Sequence, residues 1–74
     1  MDMKHYRTYV QIGLNILYYR RERGFTQEEL AEQAGIGQQH LQRIETAHSV
    51  SSLPTLLNIA DALNVPVQKL FDAR

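Results

Sequence analysis

The chain has 74 residues, of which 43% are hydrophobic and 22% are charged, so it can form one small core but not two. It contains no cysteine, which excludes disulfide bonds, thiolate metal ligands and a thiol nucleophile from this sequence. Eight basic and eight acidic residues give a formal net charge of zero, which argues against a protein that binds nucleic acid through its overall positive charge alone.

The charges are unevenly distributed along the chain. Residues 1–27 contain five basic and two acidic residues, whereas residues 28–34 contain three glutamates and no base. No apolar run approaches the roughly 20 residues that span a bilayer, and the N-terminus has no apolar signal core. We therefore expect a cytoplasmic protein that does not bind a membrane.

Apolar residues recur at intervals of three and four throughout the chain, and no stretch alternates apolar and polar residues as a strand would. Glycine, proline and polar segments divide this pattern into pieces. The sequence predicts an all-α domain over residues 1–74, with a short N-terminal extension at 1–8. Five helices are expected, at about 8–23, 27–34, 38–46, 53–63 and 66–72.

The first predicted helix has two apolar stripes. One is Ile12, Ile16 and Tyr19; the other, called the outer stripe below, is Val10, Leu14, Leu17 and Tyr18. A helix that is apolar on two sides is usually buried on both. Either another subunit or a partner protein covers the outer stripe, or the N-terminal segment folds back over it. The covering residues would then be Met3, His5, Tyr6 and Tyr9.

The second predicted helix has clear start and stop signals. Thr26 followed by Glu29 is a capping box, in which each side chain accepts a hydrogen bond from a backbone N–H that lacks a helical partner. Gly35 follows the last apolar position, where a left-handed C-cap is expected, and Ile36 can pack back across the turn.

The small residues Ala31 and Ala34 let a following helix cross the second one closely, with Leu41 and Ile44 on its inner face. This spacing predicts a helix-turn-helix motif over residues 27–46. A plain αα-hairpin inside a structural bundle would obey some of the same rules, and it is the alternative interpretation.

The sequence resembles the phage repressor and Cro-type helix-turn-helix family of DNA-binding regulators, also called the xenobiotic-response-element type. The resemblance covers Ile12 to Phe71 and rests on Arg20, the segment 24–27, Glu29 to Ala31, Arg43 to Glu45, the helix at 53–63, and Leu70 with Phe71. It implies a lambda-repressor-like five-helix bundle that regulates transcription, as a repressor. It also implies a homodimer on double-stranded DNA with a pseudo-palindromic operator, read in the major groove by residues 38–46.

The resemblance implies base contacts from Gln38, Gln39 and Arg43, and a phosphate contact from Gln27. The residue types suit this role, because glutamine can pair with N6 and N7 of adenine and arginine with O6 and N7 of guanine. Gln42 lies on the same predicted helix, and His48 and Ser49 are expected as weaker contacts after it. The alternative is that these side chains form only a solvated polar face.

The family pattern also assigns a structural ion pair to Arg20 and Glu45, so neither is expected to contact DNA. The chain departs from the pattern at several places, one of which is the apolar outer stripe of the first helix. Gly37 stands where a serine or threonine usually caps the helix, and Ala47 and His48 replace a common glycine and lysine. The replacements at positions 47 and 48 put two features in doubt. One is a turn that needs positive φ, and the other is one basic phosphate contact.

An enzymatic or metal-binding role is not expected. The three histidines have no metal-ligand spacing, and the sequence shows no phosphate-binding loop, catalytic triad or paired carboxylates. We therefore expect no cofactor and no metal. The alternative function is an adaptor or antitoxin-like module that keeps this fold and binds a protein partner through the outer stripe.

Overall fold

The computed structural model describes residues 3–73. Within that range the chain forms four α-helices and two 3₁₀ helices, and it has no strand. The α-helices are α1 (Tyr6–Glu22), α2 (Gln27–Ala34), α3 (Gln38–Glu45) and α4 (Leu53–Leu63). The 3₁₀ helices span Met3–His5 and Val67–Phe71. The prediction of an all-α fold is confirmed.

Two details differ from the predicted elements. The segment predicted as a fifth helix is the 3₁₀ helix Val67–Phe71, which follows Pro66, so the count of five α-helices is not confirmed. Helix α1 begins at Tyr6, so part of the expected N-terminal extension is helical, while residues 1 and 2 lie outside the described residues.

The signals predicted for α2 are present in the structure. The Thr26 side chain accepts a hydrogen bond from the Glu29 backbone N–H at 3.0 Å, and the Glu29 carboxylate accepts one from the Thr26 N–H at 2.8 Å. Gly35 ends the helix with φ of 74°, and the Ile36 N–H donates to the Ala31 carbonyl at 3.0 Å. This reciprocal capping sets where α2 begins and ends, and hence where α3 can start.

Helix α4 is capped in a similar way. The Ser52 hydroxyl accepts a hydrogen bond from the Thr55 N–H, Pro54 lies in the first turn, and Asn64 adopts the left-handed conformation after the last turn. These residue types are those expected at helix ends.

All four α-helices and the C-terminal 3₁₀ helix contribute to a single hydrophobic core. Its most deeply buried members are Ile16, Leu30, Leu41, Ile59, Leu63 and Leu70. No helix in the described part of the chain has both the length and the apolar character needed to cross a bilayer.

A buried asparagine ties the C-terminal 3₁₀ helix to α1. The Asn15 side chain has no exposed surface, and its Nδ2 donates to the carbonyl oxygens of Leu70 at 2.9 Å and Asp72 at 2.8 Å. Its Oδ1 accepts a hydrogen bond from Gln11 Nε2 at 3.0 Å. The amide therefore satisfies two backbone carbonyl groups near the C-terminal end of the described chain, and the Gln11 side chain satisfies the amide's own oxygen.

We expect Asn15→Leu to lower the free energy of unfolding by about 2 kcal/mol, because the substitution leaves two carbonyl groups without their donor. Urea denaturation measures the loss. Asn58→Leu, at an exposed position of α4, is the control and should change stability by less than about 0.5 kcal/mol. Equal effects of the two substitutions would show that the Asn15 amide contributes nothing specific.

Candidate DNA-binding surface

Helix α3 is held against the core by one face and leaves the other free. Leu41 and Ile44 are buried, and they belong to the same core cluster as the small residues Ala31 and Ala34 of α2. The opposite face of α3 carries side chains that are all exposed: Gln38, Gln39, Gln42 and Arg43. The structure thus brings together four of the residues proposed to contact DNA.

A glycine lets α1 lie directly against the end of α3. Gly13 is buried, and a Cβ atom placed there would lie 2.6 Å from the carbonyl oxygens of both Ile44 and Glu45. Any side chain would therefore push the two helices apart. Gly13 was not among the predicted site residues; the available signal was a glycine inside a predicted helix, next to Ile12 of the core stripe.

An ion pair fixes the C-terminal end of α3. Arg20 Nε lies 2.7 Å from Glu45 Oε2, and Arg20 Nη2 lies 3.2 Å from Glu45 Oε1, so the contact is bidentate. The side chains are 11% and 2% exposed. Arg20 Nη1 also donates to the Phe25 carbonyl at 3.0 Å, which joins the turn before α2 to the same site. The ion pair implied by the family resemblance is present.

Gln27, the residue expected to contact a phosphate, lies beside this ion pair. Its Nε2 donates to Glu45 Oε1 at 2.9 Å, and the side chain is half-buried. The first residue of α2 and the last residue of α3 are therefore linked through one carboxylate. This network joins α1, the start of α2 and the end of α3.

The turn after α3 forms with alanine at the position of positive φ. Ala47 has φ of 60° and is buried, and the backbone N–H groups of His48 and Ser49 donate to the Arg43 carbonyl at 2.8 and 3.2 Å. His48 is exposed, and its Nδ1 lies 2.8 Å from the Thr46 hydroxyl. The turn that the departure from the family pattern put in doubt is thus formed.

Helix α3 begins at Gly37 without a side-chain cap. The residue has φ of −74° and ψ of 151°, which suits a capping residue, and no atom lies within 4 Å of an added Cβ. We expect Gly37→Ser to raise the free energy of unfolding by about 0.3 kcal/mol and Gly37→Ala to lower it by about 0.5 kcal/mol. Thermal melting of the two variants checks the opposite signs, and equal shifts would show that capping does not limit α3.

The outer stripe of α1 remains open to solvent. Leu14 is 47% exposed and Tyr18 44% exposed, while Val10 and Leu17 are half-buried. The N-terminal segment does not fold back over the stripe, because Tyr6 and Tyr9 are themselves part of α1. That alternative is wrong for the described residues.

Comparison with known proteins identifies the family. Residues 16–70 match the family model described as helix-turn-helix. An uncharacterized HTH-type transcriptional regulator of Sinorhizobium fredii, y4dJ, is 39% identical over 73% of this chain and 70% of its own length. The HTH-type transcriptional regulator SinR of Bacillus subtilis is 36% identical over 85% of this chain. The match spans only 58% of that SinR, and a match to B. subtilis SlrR spans 41% of SlrR.

Solved structures agree with this assignment. SinR in complex with DNA superposes with a TM-score of 0.79 at 37% identity, over 82% of this chain and 98% of that one. The restriction-modification controller protein C.AhdI of Aeromonas hydrophila gives a TM-score of 0.83 at 28% identity, over 85% of this chain and 96% of that one. The chain therefore belongs to the helix-turn-helix family of transcriptional regulators.

Proposed function

We propose that the chain binds double-stranded DNA sequence-specifically and places α3 in the major groove. The observation that carries the proposal is the composition of the free face of α3. Its exposed side chains are three glutamines and one arginine, and the one carboxylate of the helix, Glu45, is buried in the ion pair with Arg20. The free face therefore offers hydrogen-bonding groups and no negative charge to a DNA groove.

The chemistry of this face suggests what it would read. Gln38 and Gln39 suit adenine, Arg43 suits guanine, and each bidentate pair discriminates against a wrong base by roughly 1–3 kcal/mol. We assign Gln42 to the same surface, and Gln27, His48 and Ser49 to backbone contacts. Because Arg43 is the single cation on α3, we expect affinity to depend only weakly on salt concentration.

We further propose that the protein acts in the cytoplasm as a repressor, binds a pseudo-palindromic operator as a homodimer and needs no cofactor. The solved complex of SinR with DNA supports DNA as the partner. A single domain over residues 1–74, with its motif at 27–46, would suffice for this role.

The DNA-binding face can be tested without knowing the operator. We would titrate ¹⁵N-labelled protein with a mixed-sequence duplex at low salt and map the backbone amide shifts. The largest changes should fall in α3 and in the first turn of α2, and the outer stripe should not respond. Changes centred on Leu14 and Tyr18, with α3 unaffected, would overturn the proposed orientation.

A second function would use the outer stripe as a surface for a partner protein, as an adaptor or antitoxin-like module does. Leu14 and Tyr18 are exposed, and a solved structure contains SinR in complex with the protein SinI, but the similarity of this chain to transcriptional regulators does not favour this alternative. In that case Leu14→Glu would abolish partner binding and leave DNA binding intact.

A further inference from the structure

A threonine and a histidine are hydrogen-bonded in the turn that follows α3. The Thr46 hydroxyl oxygen lies 2.9 Å from the Gln42 carbonyl oxygen and 2.8 Å from His48 Nδ1. Both are hydrogen-bond distances, but a hydroxyl group has a single proton and a carbonyl oxygen can only accept one. The hydroxyl must therefore donate to the carbonyl, and the ring must donate to the hydroxyl. His48 thus carries a hydrogen on Nδ1.

This contact leaves Nε2 as the ring atom that gains or loses a proton. Neutral histidine has a hydrogen on one ring nitrogen and a lone pair on the other, whereas the charged form has a hydrogen on both. Because Thr46 holds the hydrogen on Nδ1 in either form, His48 can become a cation without any change in the turn. The side chain is exposed, which leaves the ring accessible to an external ligand.

The backbone of His48 is fixed to the end of α3. Its N–H and that of Ser49 donate to the Arg43 carbonyl at 2.8 and 3.2 Å, and Arg43 Nη2 lies 3.5 Å from the His48 carbonyl oxygen. The eight residues of α3 extend about 12 Å, which matches the width of the DNA major groove. With α3 in the groove as proposed, the turn that carries His48 lies at the groove edge, where the phosphates are.

The charged and titratable groups around this turn leave a charge on His48 free for a ligand. On α3 they are His40, Arg43 and Glu45, and across the cavity that Ser49 lines they are His5 and Tyr9. Glu45 is the one carboxylate among them, and it is 2% exposed and paired with Arg20. Residues 49–60 contain no acidic or basic side chain. No carboxylate in the described part of the chain forms an ion pair with His48, so an external anion would meet no competitor there.

We propose that His48 binds a DNA phosphate through Nε2, and that this contact forms only when the ring is charged. The neutral ring would turn a lone pair toward a phosphate oxygen, and two acceptors cannot form a hydrogen bond. The charged ring would donate a strong, charge-assisted hydrogen bond instead. Since histidine changes charge between about pH 5 and pH 8, affinity for DNA should rise as the pH falls through this range. The inference rests on the proposed DNA binding and adds its regulation by pH, with Thr46 as the positioning residue.

The salt dependence of DNA binding, measured at two pH values, tests the proposal. Fluorescence anisotropy gives the association constant of a mixed-sequence duplex over a series of salt concentrations, at about pH 5.5 and about pH 8. For wild type we expect the plot of log K against log salt to be steeper at the lower pH by about 0.9 for each bound protomer, because one more phosphate is contacted. His48→Gln should have the shallow slope at both pH values, and His48→Lys the steep slope at both. His5 and His40 are present in all three proteins and serve as the internal control.

Nuclear magnetic resonance of the protein without DNA tests the role of Thr46. Long-range ¹H–¹⁵N spectra of the histidine rings distinguish the two neutral forms, and we expect Nδ1–H for His48 at mildly alkaline pH. Thr46→Val removes the hydroxyl and should give a mixture of both forms, whereas Thr46→Ser keeps the hydroxyl and should retain Nδ1–H. Thr46→Ser should likewise retain the pH-dependent slope. A wild-type ring with its hydrogen on Nε2 would overturn the assignment.

A pH effect of equal size in wild type and His48→Gln would overturn the proposal, since another group would then be responsible. Binding by wild type with the same slope at both pH values would overturn it as well, and would leave the DNA-binding proposal standing. Absence of binding by all three proteins at both pH values would contradict the DNA-binding proposal, and this inference with it.

Discussion

Replacing Gly13 with alanine should lower the free energy of unfolding by about 3 kcal/mol, even though alanine is intrinsically the better helix former. The added Cβ would meet two backbone carbonyl oxygens of α3 at 2.6 Å, and backbone atoms cannot move aside as a flexible side chain can. Helix α1 must therefore shift away from α3. The shift would also strain the Arg20–Glu45 ion pair, which joins the same two helices.

Chemical denaturation measures the free energy of unfolding of Gly13→Ala and of Gly37→Ala, and the difference between the two isolates the steric effect at Gly13. Both variants replace a glycine whose φ lies outside the left-handed region, so alanine is allowed at either position by backbone conformation. The two differ in space, because nothing lies within 4 Å of a Cβ at Gly37. A loss of 3 kcal/mol corresponds to a fall in melting temperature on the order of 15 °C for a domain of this size. If Gly13→Ala were as stable as Gly37→Ala, the close approach of α1 and α3 would be wrong.

Removing one partner of the buried ion pair should cost a similar amount. We expect Arg20→Ala to lower the free energy of unfolding by about 3–4 kcal/mol, because the Glu45 carboxylate, 2% exposed, would keep only the hydrogen bond from Gln27. The Phe25 carbonyl would lose its donor as well. Arg21→Ala, at the exposed neighbouring position, is the control and should change stability by less than about 0.5 kcal/mol.

A double-mutant cycle shows whether the cost comes from the stranded charge. The single variants Arg20→Met and Glu45→Met each leave one buried charge without its partner. The variant that combines them should lose clearly less stability than the sum of the two single losses, since it leaves no buried ion. Strict additivity would mean that Arg20 and Glu45 do not interact in solution.

Much of the fold could be predicted because its signals are local. Helices α2 and α4 have the predicted bounds, and their ends are set by neighbouring residues such as Thr26 with Glu29, and Gly35. The fifth helix was predicted with the wrong geometry. A segment of a few residues after Pro66 contains too little periodicity to distinguish an α-helix from the 3₁₀ helix that buries Leu70.

Part of the candidate site could likewise be predicted from the sequence, and part could not. The four exposed polar residues of α3 could be assigned from helical periodicity, because burying Leu41 and Ile44 leaves only one face for them. Gly13 and Asn15 could not, because their roles depend on contacts between distant segments. Asn15, for example, donates to a carbonyl 55 residues away.

The central claim is that the free face of α3 reads DNA sequence. Its most direct test is selection from a random duplex pool, run in parallel with wild type and with Arg43→Ala. We predict that wild type enriches a two-fold symmetric site and that the variant loses its preference at one base pair in each half-site, at a cost of roughly 1–3 kcal/mol. Enrichment of the same site by both proteins, or of no site by wild type, would contradict the claim.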